Sequence, residues 1–379
     1  MRIRRNSILL GRILLLLVIL LLGGVGVVGC VQTSAPAKGW SGGTIANGTL
    51  FLGSMEGEVI AVDVSDGSYR WDSVTLEASA PAGGFSCAPA STTVAIYGSP
   101  AVDGDLVYVG GYDGKIYAFD ASSGALRWVY PRQGSLQPIV GGLLAALGKV
   151  YIGCSDAKLY ALDATTGDKE WEFETGDRIW STPAIDGEMV YISSFDKKLY
   201  ALNATNGNKR WEFETDGAII STPLIYNNTV YIGSFDRYFY AIDATDGSLK
   251  WKFMAENWFW SKPVAYNGIV YAGCLDKKVY ALNAKNGEEV EKFDLGSPIS
   301  SSPVLVGNSI IVASEEGKVY SIDTSNNHKR ELRDLEVKVD APLCASQGVV
   351  YIHTQKHEKL YAVDAQTGVV LWDFPLTSK

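Results

Sequence analysis

One phrase recurs through this chain, and it restricts the possible folds more than any other feature. Tyr160-Ala-Leu-Asp-Ala-Thr-Thr-Gly-Asp-Lys-Glu-Trp171 returns as Tyr200 to Trp211 and again as Tyr240 to Trp251, with weaker copies starting at Ile60, Tyr117, Tyr280, Tyr320 and Tyr361. From Tyr160 to Tyr320 the step is 40 residues every time. A second phrase keeps the same register: Ser181-Thr-Pro183, Ser221-Thr-Pro223, Ser261-Lys-Pro263 and Ser301-Ser-Pro303. Two markers locked to one period mean a repeat architecture, in which each unit buries its apolar face against its neighbours.

Within a unit the pattern is that of short strands. In residues 182–215, Pro183-Ala-Ile leads to Asp186-Gly187, a hairpin signal. Met189 to Ser194 and Lys198 to Asn203 alternate in the strand manner, separated by a tight turn at Phe195-Asp196. Asn203-Ala-Thr-Asn-Gly207 supplies an amide that bonds its own backbone and a glycine free to take positive φ, and Lys209 to Glu214 completes the set. Nothing after residue 40 holds helical periodicity for more than about two turns. Four-stranded antiparallel units of this length, repeated radially, predict an all-β, eight-bladed β-propeller over residues 40–379. Whether sequence unit and blade coincide, or a terminal strand is exchanged to close the ring, stays open. The large irregularity is the insertion at 72–98.

The phrase Ala-x-Asp-x-x-x-Gly-x-x-x-Trp resembles the tryptophan-docking motif of the PQQ-like (pyrroloquinoline-quinone-type) propeller repeats. That resemblance covers residues 40–376 and implies that Trp71, Trp128, Trp171, Trp211, Trp251 and Trp372 each pack between neighbouring blades. The sixth unit is expected to carry Val290 in this slot, and the seventh loses the motif around Asn326 to Glu331. One branch of these proteins is the quinoprotein dehydrogenases, with PQQ, calcium and a pair of adjacent cysteines. The other is the BamB family of outer-membrane-assembly lipoproteins, scaffolds without a cofactor. This chain has no Cys-Cys pair and no room for the long insertions of the dehydrogenases, and it is similar to the second branch. The partner-binding loop of the BamB family carries an arginine five residues before the inner-strand proline, a place Arg178 fills relative to Pro183. The chain departs from that family at Thr175 and Asp177, where leucines stand, and at Ala218 and Ile220, where an acidic pair stands.

Residues 1–30 read as a targeting segment, with a basic start, an apolar run from Ile13 to Leu22, and Val27-Val28-Gly29-Cys30. The last four resemble the lipobox of bacterial lipoproteins, which implies lipid attachment at Cys30; residues 31–39 then form a flexible tether. An uncleaved signal anchor is the alternative, and either way the body lies outside the cytoplasm. The expected place is an extracytoplasmic membrane surface, the periplasmic face of an outer membrane in a Gram-negative organism. The first 29 residues hold four of the 33 basic residues and no acid, so the remainder carries 29 bases against 42 acids, a net of −13. Such a surface repels phosphate backbones and argues against nucleic acid as a partner.

Catalytic chemistry finds little footing. Cys154 and Cys274 occupy a small-residue slot held elsewhere by Ser54, Gly111, Ser194, Ser234, Ser314 and Thr354, which suits buried free thiols. With strands ~4.8 Å apart they lie on the order of 20 Å from one another, beyond disulfide reach. A pairing of Cys87 with Cys344 stays open. His353 and His357 sit four apart in a hairpin rather than on a helix, and the Asp63-Val-Ser-Asp-Gly67 type of phrase lacks the calcium-loop spacing, so no metal site is expected. No enzyme is expected either, since no histidine neighbours a nucleophile.

Binding has more to recommend it. Connections from an outer strand to the next inner strand gather on one propeller face, and here they include 175–180, 216–220, 255–260 and the insertion. Asn257-Trp-Phe-Trp260 is a loop with three consecutive aromatics, followed by Lys262 where other units carry Thr or Ser. Either these rings plug the channel, or Trp258, Phe259, Trp260 and Lys262 form a platform with Arg178 and Trp180 for a protein partner in an envelope complex. The leading expectation is a membrane-anchored scaffold without cofactor. The alternative is a small-ligand propeller taking PQQ with calcium, with Trp180 or Trp260 as the stacking floor.

Overall fold

Alternating β-branched and aromatic residues, punctuated every few positions by Asp, Asn and Gly, fold as thirty-two strands in eight four-stranded antiparallel sheets, plus one separate hairpin. The structure is a computed structural model that describes residues 41–54, 56–79, 91–355 and 358–376. The leader, Cys30, the tether, Cys87 and His357 lie outside the described residues.

Every blade is built from consecutive strands, so sequence unit and blade coincide. Blade 4 is representative, with strands Ala184–Asp186, Met189–Ser193, Lys198–Asn203 and Lys209–Glu214 running from the channel outward. Blade 1 begins at Thr44 and blade 8 ends at Pro375, and neither lends a strand to the other. The two middle strands of a blade are buried nearly end to end because both faces meet a neighbour. The outer strand is exposed except where its tryptophan points inward. Part of the insertion forms a two-stranded hairpin, Glu77–Ser79 with Ser91–Thr93.

The core lies between blades. Eight apolar clusters each join the second and third strands of adjacent blades, and the one joining blade 8 to blade 1 contains Leu50, Leu52, Ile60, Tyr351 and Leu360. At six junctions a tryptophan reaches into the next blade and donates its indole N–H to a carbonyl there. Trp71 bonds Ala121, Trp128 bonds Ala164, Trp171 bonds Ala204, Trp211 bonds Ala244, Trp251 bonds Ala284 and Trp372 bonds Val64, at 3.0–3.3 Å. A tyrosine on the second strand shares the acceptor, as Tyr191 does with Trp211 at Ala244. The ring therefore closes by the same docking that joins its interior blades.

The turn beneath each tryptophan explains the rest of the phrase. Asp163 Oδ1 accepts the N–H groups of Thr165 and Thr166, and Gly167 then turns at φ 73°. At Gly247, a Cβ would stand 2.7 Å from the Trp211 ring, so glycine is required there by contact as well as by its φ of 77°. In blade 6 the residue opposite Ala281 is Glu291, not Val290. The docking slot is therefore Glu291, four residues after Gly287, and both Val290 and Glu291 face solvent.

Candidate docking face

The serine of the Ser-x-Pro phrase is structural. Ser181, Ser221 and Ser301 each donate a hydroxyl to the carbonyl of Ser193, Gly233 and Ala313, tying the entering loop to the second strand of its own blade. The next residue then faces the axis. Threonine and serine there bridge adjacent blades: Thr182 Oγ1 accepts from the Gly142 amide at 3.0 Å, and Ser302 Oγ from the Lys262 amide at 3.1 Å.

On one face, the loop entering each blade meets the turn between that blade's second and third strands. The amide of Phe195 donates to Arg178, that of Phe235 to Ala218, that of Leu275 to Trp258 and that of Glu315 to Pro298. In blades 4 to 6 an aspartate in the turn fastens the contact. Asp196 Oδ2 accepts from both the Gly176 amide and the Tyr200 hydroxyl, each at 2.6 Å, and burial together with that carboxylate raises the tyrosine's pKa. Asp236 and Asp276 do the same in blades 5 and 6.

This scaffold sets six side chains in a continuous row. The Arg178 guanidinium lies 4.6 Å from the centre of the Trp180 ring and 4.3 Å from that of Phe195. Trp180 meets Phe195 edge-on at 4.8 Å, and Phe195 meets Phe235 edge-on at 6.4 Å. Phe235 then stacks on Trp258 at 4.4 Å and on Trp260 at 5.7 Å. The row crosses blades 4 to 6 and leaves Trp258 42% exposed. Beyond it the face turns polar. A cavity of about 340 Å³ is walled by Trp260, Leu275, Glu315, Lys338, Asp340 and Gln355, with Lys338 paired to Asp340 at 2.9 Å.

Of the residues singled out from sequence, Arg178, Trp180, Trp258 and Trp260 share this row. Phe259 does not. It is 1% exposed and packs against Phe239 and Tyr280 inside the blade 5–6 core, because consecutive residues of an extended segment point to opposite sides. Lys262 is also apart from the row, since its place in Ser-Lys-Pro turns it into the axial channel. Phe195 and Phe235, which complete the row, were readable only as turn residues. The signal that finds them is positional: the residue after the small slot is aromatic in blades 2, 4 and 5, as Tyr112, Phe195 and Phe235, but Glu315 and Gln355 in blades 7 and 8.

The remaining candidates have structural places. Cys154 and Cys274 are buried free thiols whose pKa burial pushes up to about 12, and Cys344 is also free. His353 ends the second strand of blade 8, buried, with Nδ1 2.7 Å from the Ser41 carbonyl across the ring closure. Among the described residues no His, Cys, Asp and Glu cluster could hold a metal ion. Pyrroloquinoline quinone does not fit the channel mouth either. The quinone's calcium finds no ligand set there: the one acid among the described residues lining the mouth, Asp340, is already held by Lys338 at 2.9 Å and by the Ser300 hydroxyl at 3.0 Å.

The family described as outer membrane protein assembly factor BamB matches residues 30–197 and 171–374. The chain belongs to this family. Among solved structures, BamB from Moraxella catarrhalis superposes with a TM-score of 0.69 at 20% identity, covering 83% of this chain and 93% of that one. The computationally designed Ika8 protein gives the same TM-score at 15% identity, covering 87% and 98%. At such identities the likeness is one of fold, which a natural protein and a designed one share equally. No curated protein sequence matches the chain significantly.

Proposed function

We propose that this propeller is a non-catalytic scaffold, held at a membrane by a lipid on Cys30, that docks a protein partner of an envelope complex on its aromatic face. The observation that carries the reading is the row from Arg178 to Trp258. Its rings brace one another, so little side-chain freedom is lost when a partner covers them. Aromatic and arginine side chains of this kind dominate binding energy at protein interfaces, and a guanidinium fixed between two rings is already oriented to receive a carboxylate or carbonyl. Membership of an outer-membrane-assembly family agrees with an envelope partner. The chemistry of the face also favours binding over catalysis, since Asp196, Asp236 and Asp276 are each committed to holding a turn.

The test is a photo-crosslinker placed at Trp258 in intact membranes. Capture of a discrete envelope protein, reduced when Arg178 is changed to Ala, is the expected result. If the probe captures no protein at Trp258 while the chain is folded and membrane-bound, the docking reading fails. Replacing Cys30 with Ala should release the chain from the membrane fraction.

A further inference from the structure

The axial channel has a chemistry of its own. Beneath the mouth it opens into a body of about 510 Å³, and Lys262 lines both. Every other residue lining the body is a hydroxyl residue, a proline, a glycine or an aliphatic one: Thr182, Thr222 and Ser302 stand beside Leu143, Pro263 and Leu305, for example. Lys262 is thus the one ionisable group among the described residues lining that space. Its ammonium makes no ion pair there, and the channel walls lower its pKa through desolvation alone, with no counter-charge contributing. The acid at the mouth, Asp340, is already engaged by Lys338 at 2.9 Å and by the Ser300 hydroxyl at 3.0 Å.

The hydroxyls nearby are set to donate. Thr182 Oγ1 and Ser302 Oγ each already accept a backbone N–H from the preceding blade. A hydroxyl that has accepted such a bond keeps its own proton to give away. The Thr44 hydroxyl differs, since it donates to the Pro100 carbonyl at 2.6 Å. The Lys262 side chain stays open to solvent within the channel, and an unpaired cation flanked by hydroxyls there lacks what it most favours, a negative partner. Lysine at this place is also peculiar to one blade. The equivalent positions hold Gly42, Ser99, Gly142, Thr182, Thr222, Ser302 and Pro342.

We propose that the channel body is a binding site for a small anion, an oxyanion or short carboxylate, held by the Lys262 ammonium with hydroxyl donors from Thr182, Thr222 and Ser302. The formal charge of −9 on the whole chain opposes such a ligand outside, so the selectivity is local to the shaft. The site is independent of the docking face, which does not use Lys262.

Calorimetric titration of the purified chain with inorganic phosphate, and separately with acetate, tests the proposal. Lysine-selective NMR should follow the Lys262 signal in the same samples. Saturable binding of either anion that moves the Lys262 signal is expected, with affinity lowered about tenfold or more by Lys262→Gln, equivalent to roughly 1.4 kcal/mol. Thr222→Val should weaken it less and leaves the charge in place, so it serves if the Lys262 variant does not fold. Binding of phosphate alone or of acetate alone identifies the preferred class. No saturable binding of either anion, or binding that Lys262→Gln or Thr222→Val leaves unaltered, overturns the site. Crosslinking from Trp258 should be the same in Lys262→Gln, which separates failure here from failure of the docking reading.

Discussion

Six blade junctions carry a docked tryptophan, and the two flanking blade 7 do not. At the Trp211 junction an indole is buried against Gly247 and bonded to Ala244. At the junction of blades 6 and 7 its place is taken by exposed Glu291, and Asn327, at φ 56°, stands where other blades have the glycine. The apolar cluster behind it is still complete, with Tyr271, Phe293, Ile310 and Tyr320. Between blades 7 and 8 the Arg330 guanidinium donates instead to the Gln366 carbonyl, and the Leu332 backbone covers Gly368. The comparison teaches that two layers join the blades. Middle-strand packing is present everywhere, whereas the outer indole clasp is dispensable at some junctions. Blades 7 and 8 are also where the aromatic face gives way to charge, so both departures from the repeat fall in one sector.

Removing a clasp should have the largest effect. Trp211→Ala leaves a buried cavity, with Tyr191 the remaining side-chain donor to the Ala244 carbonyl, and should cost ~3–5 kcal/mol in a denaturant titration. Glu291→Ala at the unclasped junction should stay within about 0.5 kcal/mol. Equal losses at the two positions would erase the distinction. Gly247→Ala should fall between them, because the new Cβ meets the indole at 2.7 Å in a backbone conformation that disfavours it.

A constructive test sharpens the comparison. Glu291→Trp together with Asn327→Gly rebuilds the missing clasp and should raise the midpoint of thermal unfolding, whereas Glu291→Trp alone should not, because at the equivalent Gly247 any Cβ would stand 2.7 Å from the indole. A double variant no more stable than the single one would show that blade 7 cannot accept an indole for some other reason.

The smallest expected effect concerns pH. Asp163 has its pKa lowered chiefly by the backbone N–H groups of Thr166 and Thr165, against a smaller opposing desolvation. A depressed carboxylate stabilises the fold above its ordinary pKa, and that contribution disappears as pH falls from about 4 towards the folded value. Blade 4 makes the same turn with Asn203, which cannot titrate. Asp163→Asn should therefore flatten the loss of stability below about pH 4 while changing neutral stability little. An unchanged acid limb would remove this turn from the pH dependence.

Much of the fold was legible because a propeller repeats one local solution. The Asp-x-x-x-Gly turn, the docked Trp and the Ser of Ser-x-Pro each answer to a contact with a neighbour, and the period exposes them together. The error at Val290 arose where the tryptophan that marks the slot is absent, leaving only a count of residues to fix position. The docking face was half legible. Arg178, Trp180, Trp258 and Trp260 stood out by composition, but Phe195 and Phe235 join them only through the meeting of turn and loop.

The sequence by itself determined the number of blades, the period of the repeat and the six tryptophan positions, since those depend on residue type at a fixed spacing. Tertiary structure decided the direction of each irregular side chain. Neighbouring residues in an extended segment face opposite ways, so Trp258 meets solvent, Phe259 enters the core, and Lys262 turns to the axis. It also decided ring closure. Trp372, packed against Gly67 and bonded to Val64, seals blade 8 to blade 1 together with their shared apolar cluster, and no strand is exchanged because each of the two blades is complete in its own four strands.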